Sequence, residues 1–182
     1  MLSVYMSMVE TDDQRDLVEQ LYRGCEQMMY NAAFSILHDK QDAEDAVHDT
    51  FVRIITNIKK VEAINRNKLN SFAVIVAKNI AIDRYRRLQK QELINTDVSD
   101  GDGIGGISIV ERAVFEKFDQ TTLHSAIGDL PDTLRGVLVM RYFHDMSAED
   151  IAALLGIQTK AVQKRIERAI NKLYESMKGD KL

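Results

Sequence analysis

The 182-residue sequence contains no tryptophan, one proline and one cysteine. Because it has so few proline breaks and few runs of β-branched and aromatic residues, it favours helices almost throughout. The single Cys25 excludes an intramolecular disulfide and indicates a reducing compartment. The first nine residues lack a cationic segment followed by an apolar run, and no stretch approaches about 18 apolar residues. We therefore expect no secretory leader, no membrane span and a location in the cytoplasm.

The net charge of −4 hides an uneven distribution along the chain. Residues 10–58 hold four basic and eleven acidic side chains, whereas residues 59–90 hold nine basic and two acidic ones. A second basic island at 157–178 holds six basic and two acidic side chains. Local charge decides phosphate binding, because salt screens charges beyond about 8 Å. The two basic islands indicate nucleic acid, and the acidic parts suit a basic protein partner or solubility.

Residues 146–173 carry the signals of a helix-turn-helix. Ser147, with Asp150 three residues later, predicts a capping box, and Gly156 stands where the turn needs a positive φ. Thr159 is expected to cap the second helix, whose apolar residues share one face. The opposite face carries Lys160, Gln163, Lys164, Glu167 and Asn171. Such a face fits a major groove, although a helical hairpin in an all-α core is the alternative.

Residues 94–109 interrupt the helical pattern with glycine, aspartate, asparagine and serine. This composition predicts a flexible acidic linker at 93–114, between an N-terminal helical domain at 10–92 and a C-terminal one at 115–178. The predicted fold is therefore all-α, with two small helical domains and a helix-turn-helix in the second. Gly101, Gly103 and Gly106 satisfy the G-x-G-x-x-G spacing, but no strand precedes them, so they do not indicate a nucleotide-binding loop.

Two amphipathic helices are predicted early in the N-terminal domain. The first covers residues 17–37, as one helix or a broken pair, and we expect its methionines and tyrosines in the core. The second covers residues 42–55 and turns inward Ala43, Ala46, Val47, Thr50, Phe51, Ile54 and Ile55. Its outer face carries Asp42, Glu44, Asp45, His48 and Asp49. Asp45 and His48 have the spacing of metal ligands, but no second carboxylate motif accompanies them, so we assign no metal site.

A third helix, predicted over residues 72–87, ends in four cations: Lys78, Arg84, Arg86 and Arg87. Cations at a helix C-terminus complement the helix dipole. The charge here is larger than the helix dipole requires, because Tyr85 and four upstream cations accompany these four: Lys59, Lys60, Arg66 and Lys68. Basic groups interleaved with aromatic residues suit a single-stranded or melted nucleic-acid track.

These motifs, in this order, resemble those of bacterial extracytoplasmic-function sigma factors, the minimal two-domain form of the RNA polymerase initiation factor. The family's polymerase-binding helix is similar to Asp42-Ala43-Glu44-Asp45 followed by Phe51. Its promoter-melting helix is similar to Ala77-Lys78-Asn79 with Asp83 and Arg86-Arg87. Its C-terminal domain is similar to Leu130-Pro131, Arg135, Arg141 and the helix-turn-helix with Val162, Arg165, Arg168 and Ala169. The sequence departs from the family at Phe72-Ala73, where Trp-Leu is common, and at His48, where Gln is frequent.

The resemblance implies a transcription initiation factor that is not itself an enzyme, needs no cofactor, and directs core RNA polymerase to promoters. It implies contact with the polymerase β′ clamp through Asp42, Asp45, His48 and Asp49. It implies that the minus-ten element is melted and read by Asn65, Arg66, Lys68, Lys78, Asn79, Arg84, Arg86 and Arg87.

The resemblance also implies that the C-terminal domain contacts the β flap and reads the minus-thirty-five element. The residues concerned are Thr159, Lys160, Gln163, Lys164, Arg165, Glu167 and Arg168. We expect Gln163, Lys164 and Glu167 at base edges, and Arg165 and Arg168 at phosphates. An anti-sigma factor is a further implied partner.

Two other classes of function remain open from the sequence. A helix-turn-helix repressor or activator would bind DNA as a dimer, through a dimerisation helix, without polymerase. A helical carboxylate-metal enzyme would hold a stoichiometric metal ion when purified.

Overall fold

The computed structural model describes residues 2–92 and 125–179. The predicted linker at 93–114 and the first ten residues of the predicted C-terminal domain lie outside the described residues. Every regular element in the two described ranges is helical, which confirms the all-α prediction. Within those same ranges, no helix combines the length and apolar character that crossing a membrane requires.

The N-terminal part begins with helix α1 (Leu2–Ser7), the long α2 (Asp12–Leu37) and α3 (Lys40–Thr56). A short α4 (Ile58–Val61) and a 3₁₀ turn (Arg66–Lys68) lead into α5 (Leu69–Glu92). Side-chain caps determine where two of these helices begin. The Thr11 hydroxyl accepts from the Gln14 amide before α2, and the Asp39 carboxylate accepts from the Asp42 amide at 2.8 Å before α3.

Helices α2, α3 and α5 pack on one another around the N-terminal core. The predicted inward face of α3 is confirmed, because all seven of its residues are buried: Ala43, Ala46, Val47, Thr50, Phe51, Ile54 and Ile55. On α2 the prediction for the methionines and tyrosines was partly wrong. Met29 is buried, whereas Met28 is 47% exposed and Tyr22 and Tyr30 are half-buried. Neighbouring positions on a helix are about 100° apart, so Met28 and Met29 cannot both face the core.

The C-terminal part contains a helical segment at 125–128, then α6 (Asp132–Leu138), which continues as a wider π-helical turn (Val139–Phe143). Helices α7 (Ala148–Leu155) and α8 (Thr159–Gly179) follow. These helices bury apolar residues that include Leu138, Met140, Ile151 and Leu154, and these belong to the same hydrophobic cluster as the buried residues of the N-terminal part. Helix α5 packs against α6 and α7, and α3 also packs against α7, so the two parts are in contact through both α5 and α3.

Candidate nucleic-acid and protein-binding surfaces

Helices α7 and α8 form the helix-turn-helix with the capping that the sequence predicted. The Ser147 hydroxyl accepts from the Asp150 amide at 3.0 Å, and the Asp150 carboxylate accepts from the Ser147 amide at 3.4 Å. The hydrogen bond from the Ser147 hydroxyl, followed by the charge of Lys60, lowers the pKa of Asp150. Gly156 ends α7 with φ 63°, the left-handed conformation that glycine adopts without a Cβ penalty.

Thr159 does not cap α8 as predicted. Helix α8 begins at Thr159, and the carbonyl of Gln158 accepts from the amides of Ala161 and Val162. Thr159 is therefore the first residue inside the helix, one position later than a cap.

Helix α8 buries its apolar face and presents a polar one, in line with its sequence pattern. The buried residues are Val162, Ile166, Ala169, Ile170 and Leu173. Lys160, Gln163 and Arg168 are exposed, and Thr159, Lys164 and Glu167 are half-buried. An exposed helix face with amide, carboxylate and cationic groups has the chemistry that reads base edges and holds phosphates.

Arg165 lies away from this exposed face. Its Nη2 donates to Asp83 Oδ1 at 2.7 Å, and only 16% of the arginine side chain and 11% of the aspartate side chain are exposed. The two residues belong to α8 and α5, so a side chain expected at DNA phosphates is bonded to the other part of the protein.

The other residues expected at the minus-ten element are in part covered by α6. Lys78 pairs with Asp132 at 3.7 Å. Asn79 is 1% exposed, donates to the Ile75 carbonyl at 2.9 Å, and lies against Gly136, where an added Cβ would be 2.3 Å from its amide nitrogen. We call this set of contacts, together with Asp83–Arg165, the closed arrangement.

The remaining residues predicted at the minus-ten element, apart from Arg84, are exposed. Asn65, Arg66 and Lys68 are exposed; Asn65 caps the 3₁₀ turn, and Arg66 donates to Gln20 at 3.3 Å. Arg87 donates to the Asp83 carbonyl at 3.3 Å, and Arg86, which is 60% exposed, lies 4.0 Å from the Asp83 carboxylate. All five side chains are therefore exposed, three of them just before α5 and two in its C-terminal half.

The acidic face of α3 is partly neutralised by Arg84 of α5. Arg84 donates to Asp42 at 3.0 Å and to Asp45 at 2.8 Å. Burial alone would lower the pKa of Arg84, but these hydrogen bonds and the two carboxylate charges raise it above its usual value. Two residues predicted at the polymerase are thus bound to one predicted at DNA, which ties α3 to α5.

His48 is bound by a residue that sequence reasoning missed. The Tyr5 hydroxyl of α1 lies 2.9 Å from His48 Nδ1, and the Tyr5 ring stacks on Phe51 with centroids 4.8 Å apart. Burial, helped by the charges of Tyr22 and Glu26, raises the pKa of Tyr5 to about 12. Asp49 remains half-buried on the same face of α3. Asp45 is bound by Arg84 and His48 by Tyr5, so the two side chains have different partners in this structure.

Two further contacts between the parts were also missed. The Arg53 guanidinium of α3 donates to the Leu155 carbonyl at the end of α7, next to Gly156. Lys60 of α4 lies 3.3 Å from Asp150 in the capping box. A contact to a backbone carbonyl carries no side-chain signal, so no pattern in the sequence could have indicated the first of these.

Comparison with known proteins gives two family matches, one in each of the two parts. The family model of Sigma-70 region 2 matches residues 21–91, and that of Sigma-70, region 4 matches residues 120–173. RNA polymerase sigma factor YlaC of Bacillus subtilis is 27% identical over 165 residues, 90% of this chain and 93% of its own. ECF RNA polymerase sigma factor SigW of the same species is 27% identical over 157 residues, 82% and 83% of the two chains. RNA polymerase sigma-H factor of Pseudomonas aeruginosa is 28% identical over 179 residues, 89% and 92% of the two chains.

Among solved structures, the sigma factor RpoE in complex with the anti-sigma factor NepR from Bartonella quintana is 19% identical. It is matched over 90% of this chain and 98% of its own, with a TM-score of 0.36. The structure of CnrH with the cytosolic domain of CnrY is 23% identical over 93% and 99% of the two chains, with a TM-score of 0.33.

Proposed function

Because this chain belongs to the sigma-70 family of RNA polymerase sigma factors, in its extracytoplasmic-function form, we propose a division of promoter recognition between its two parts. The chain is a transcription initiation factor that directs polymerase to promoters. Membership of this family implies a non-catalytic role, with nucleotidyl transfer left to the polymerase. We place its action in the cytoplasm, where the polymerase and the promoter are.

The C-terminal part reads the minus-thirty-five element with the exposed face of α8. The observation that carries this proposal is the helix-turn-helix itself, with its capping box, its left-handed Gly156 and its exposed Lys160, Gln163 and Arg168. Gln163 and Glu167 read base edges, while Arg168 holds a phosphate. Arg165 reaches DNA only after its bond to Asp83 is broken.

The N-terminal part binds polymerase through the acidic face of α3 and takes the minus-ten strand along α5. Asp49 and the exposed half of Asp45 meet a basic clamp surface, and Asn65, Arg66 and Lys68 meet the melted strand. Asn79 is buried under α6 in the closed arrangement, so it can meet DNA only when the two parts separate. Polymerase binding therefore has to supply the free energy that separates the two parts of the protein.

The proposed partners are core polymerase at the β′ clamp and the β flap, promoter DNA, and an anti-sigma factor. The test is reconstitution of the purified chain with core polymerase, followed by run-off transcription on genomic fragments. We expect discrete polymerase-dependent transcripts that core polymerase alone does not make. Dimeric, sequence-specific DNA binding with no effect on transcription by core polymerase would instead support a stand-alone repressor or activator.

A further inference from the structure

A cavity of about 450 Å³ lies where α5 meets α6 and α8. Four cations line it, and they come from both parts of the protein: Arg86 from α5, and Arg165, Arg168 and Lys172 from α8. Among the residues that the structure describes, Glu175 is the only acidic one in its lining. Its volume lies in the range of pockets that hold small molecules, about 300–1,000 Å³.

The cations around this cavity are poorly neutralised. Arg165 donates from Nη2 to Asp83, while its buried Nη1 has no hydrogen-bond partner in the part of the chain that the structure describes. Within the described residues neither Arg168 nor Lys172 has an ion-pair partner, and Arg86 has only the 4.0 Å contact to Asp83. Like charges held together repel unless a counterion relieves them, and low-dielectric walls strengthen the field inside a cleft.

We propose that this cavity binds a compact polyphosphate anion, either inorganic or the phosphate chain of a nucleotide. Arginine guanidinium groups match phosphate oxygens in pairs, and three arginines with one lysine suit a ligand with several adjacent negative charges. A polyphosphate neutralises the four cations more completely than a single phosphate, which carries less charge. Leu134 and Pro131 form an apolar wall that a nucleotide base can cover.

The ligand joins the two parts and so favours the closed arrangement. Arg86 lies on α5 and the other three cations lie on α8, so all four meet one ligand only when the parts are together. Arg165 and Arg168 are also the proposed phosphate contacts at the minus-thirty-five element. The anion therefore competes with promoter DNA. This regulatory consequence rests on the proposed function, whereas the binding itself does not.

The first test is calorimetric titration of the free full-length protein with inorganic triphosphate, against orthophosphate at the same ionic strength. We expect saturable one-to-one binding of triphosphate, at least tenfold tighter than orthophosphate. Adenosine triphosphate distinguishes the two sources. Tighter binding of the nucleotide identifies a nucleotide ligand, and equal affinity identifies the phosphate chain alone; either result supports the site.

Matched variants test where the anion binds. Arg86→Gln and Lys172→Gln each remove one cation from the cavity and should weaken triphosphate binding at least fivefold. Lys59→Gln removes one exposed cation of α4, outside the cavity, and should leave the affinity unchanged. An absence of saturable binding, or an equal loss in all three variants, would show only general attraction to a basic surface and would overturn the proposal.

A competition measurement tests the regulatory consequence separately. A ligand that binds only the closed form at ten times its Kd should lower the affinity for minus-thirty-five DNA about tenfold. If triphosphate binds without this competition, the proposed competition with promoter DNA is overturned, whereas the proposed binding site in the cavity stands. Loss of promoter-specific transcription in the reconstitution would overturn the proposed function without changing the titration.

Discussion

The contact between Gly136 and Asn79 makes the closed arrangement testable with one methyl group. A Cβ added at Gly136 would lie 2.3 Å from the Asn79 amide nitrogen and 3.2 Å from a methyl carbon of Ile75. Since comfortable contact needs about 3.5 Å, the amide must move by more than ~1 Å. It would then lose its 2.9 Å bond to the Ile75 carbonyl. An unsatisfied buried amide costs about 1–3 kcal/mol.

This cost falls on the closed arrangement alone. Replacing glycine by alanine also stabilises α6 by about 1 kcal/mol, but that gain is present whether the parts are together or apart. It therefore cancels in the equilibrium between them. We expect Gly136→Ala to shift this equilibrium toward the open form by about 5- to 150-fold, the factors that correspond to about 1–3 kcal/mol.

The assay is fluorescence energy transfer between dyes on Asn31→Cys and Gln158→Cys, which lie at exposed positions in the two parts. The native Cys25 is 1% exposed, and burial raises its pKa to about 12, so it competes poorly for the dyes. We expect lower transfer efficiency in Gly136→Ala, with unchanged helicity. Gly128→Ala is the matched control, because an added Cβ there meets nothing within 4 Å. Equal transfer in the two alanine variants would refute the closed arrangement.

Three further predictions concern the other surfaces. Asp45→Arg should weaken binding to core polymerase by about 2–5 kcal/mol without loss of helicity, and an unchanged Kd in a binding titration would remove this residue from the interface. Tyr5→Phe should lower the free energy of unfolding by about 1 kcal/mol, because it removes the hydroxyl bonded to His48 and keeps the stacked ring; denaturant titration measures this, and an unchanged midpoint would contradict it. Gln163→Ala and Glu167→Ala should change the preferred minus-thirty-five sequence by about 1–3 kcal/mol per base pair, and selection from randomised DNA with an unchanged consensus would contradict base reading.

Local signals in the sequence were sufficient to predict the helix-turn-helix. A capping box spans three residues, and a left-handed glycine is required where a helix ends in a tight turn. The inward face of α3 could be predicted for the same reason, since its apolar residues recur at the helical period. The linker and the assignment of residues to DNA or polymerase stay predictions.

The partners of the predicted site residues could not be found from the sequence. Asp83 and Arg165 are 82 positions apart, and nothing in the periodicity of either helix indicates that they meet. Each was interpreted from its own helix, which made Arg165 a phosphate ligand and Asp83 a part of the motif that resembles the promoter-melting helix. Tyr5 was missed because α1 is only six residues long, too short for an amphipathic pattern to be recognised.

The bond from Arg53 to the Leu155 carbonyl bears on how this protein can change over evolutionary time. Every residue offers the same carbonyl oxygen, so the acceptor survives any substitution at position 155 that the core tolerates. The donor is restricted, because the bond needs the long guanidinium side chain of Arg53. It also needs Gly156 beside it, where an added Cβ would lie 2.8 Å from Arg53 Nη1. Variation at position 155 is therefore uncoupled from variation at position 53. A search for correlated substitutions between the two positions would find no signal, even though the residues touch.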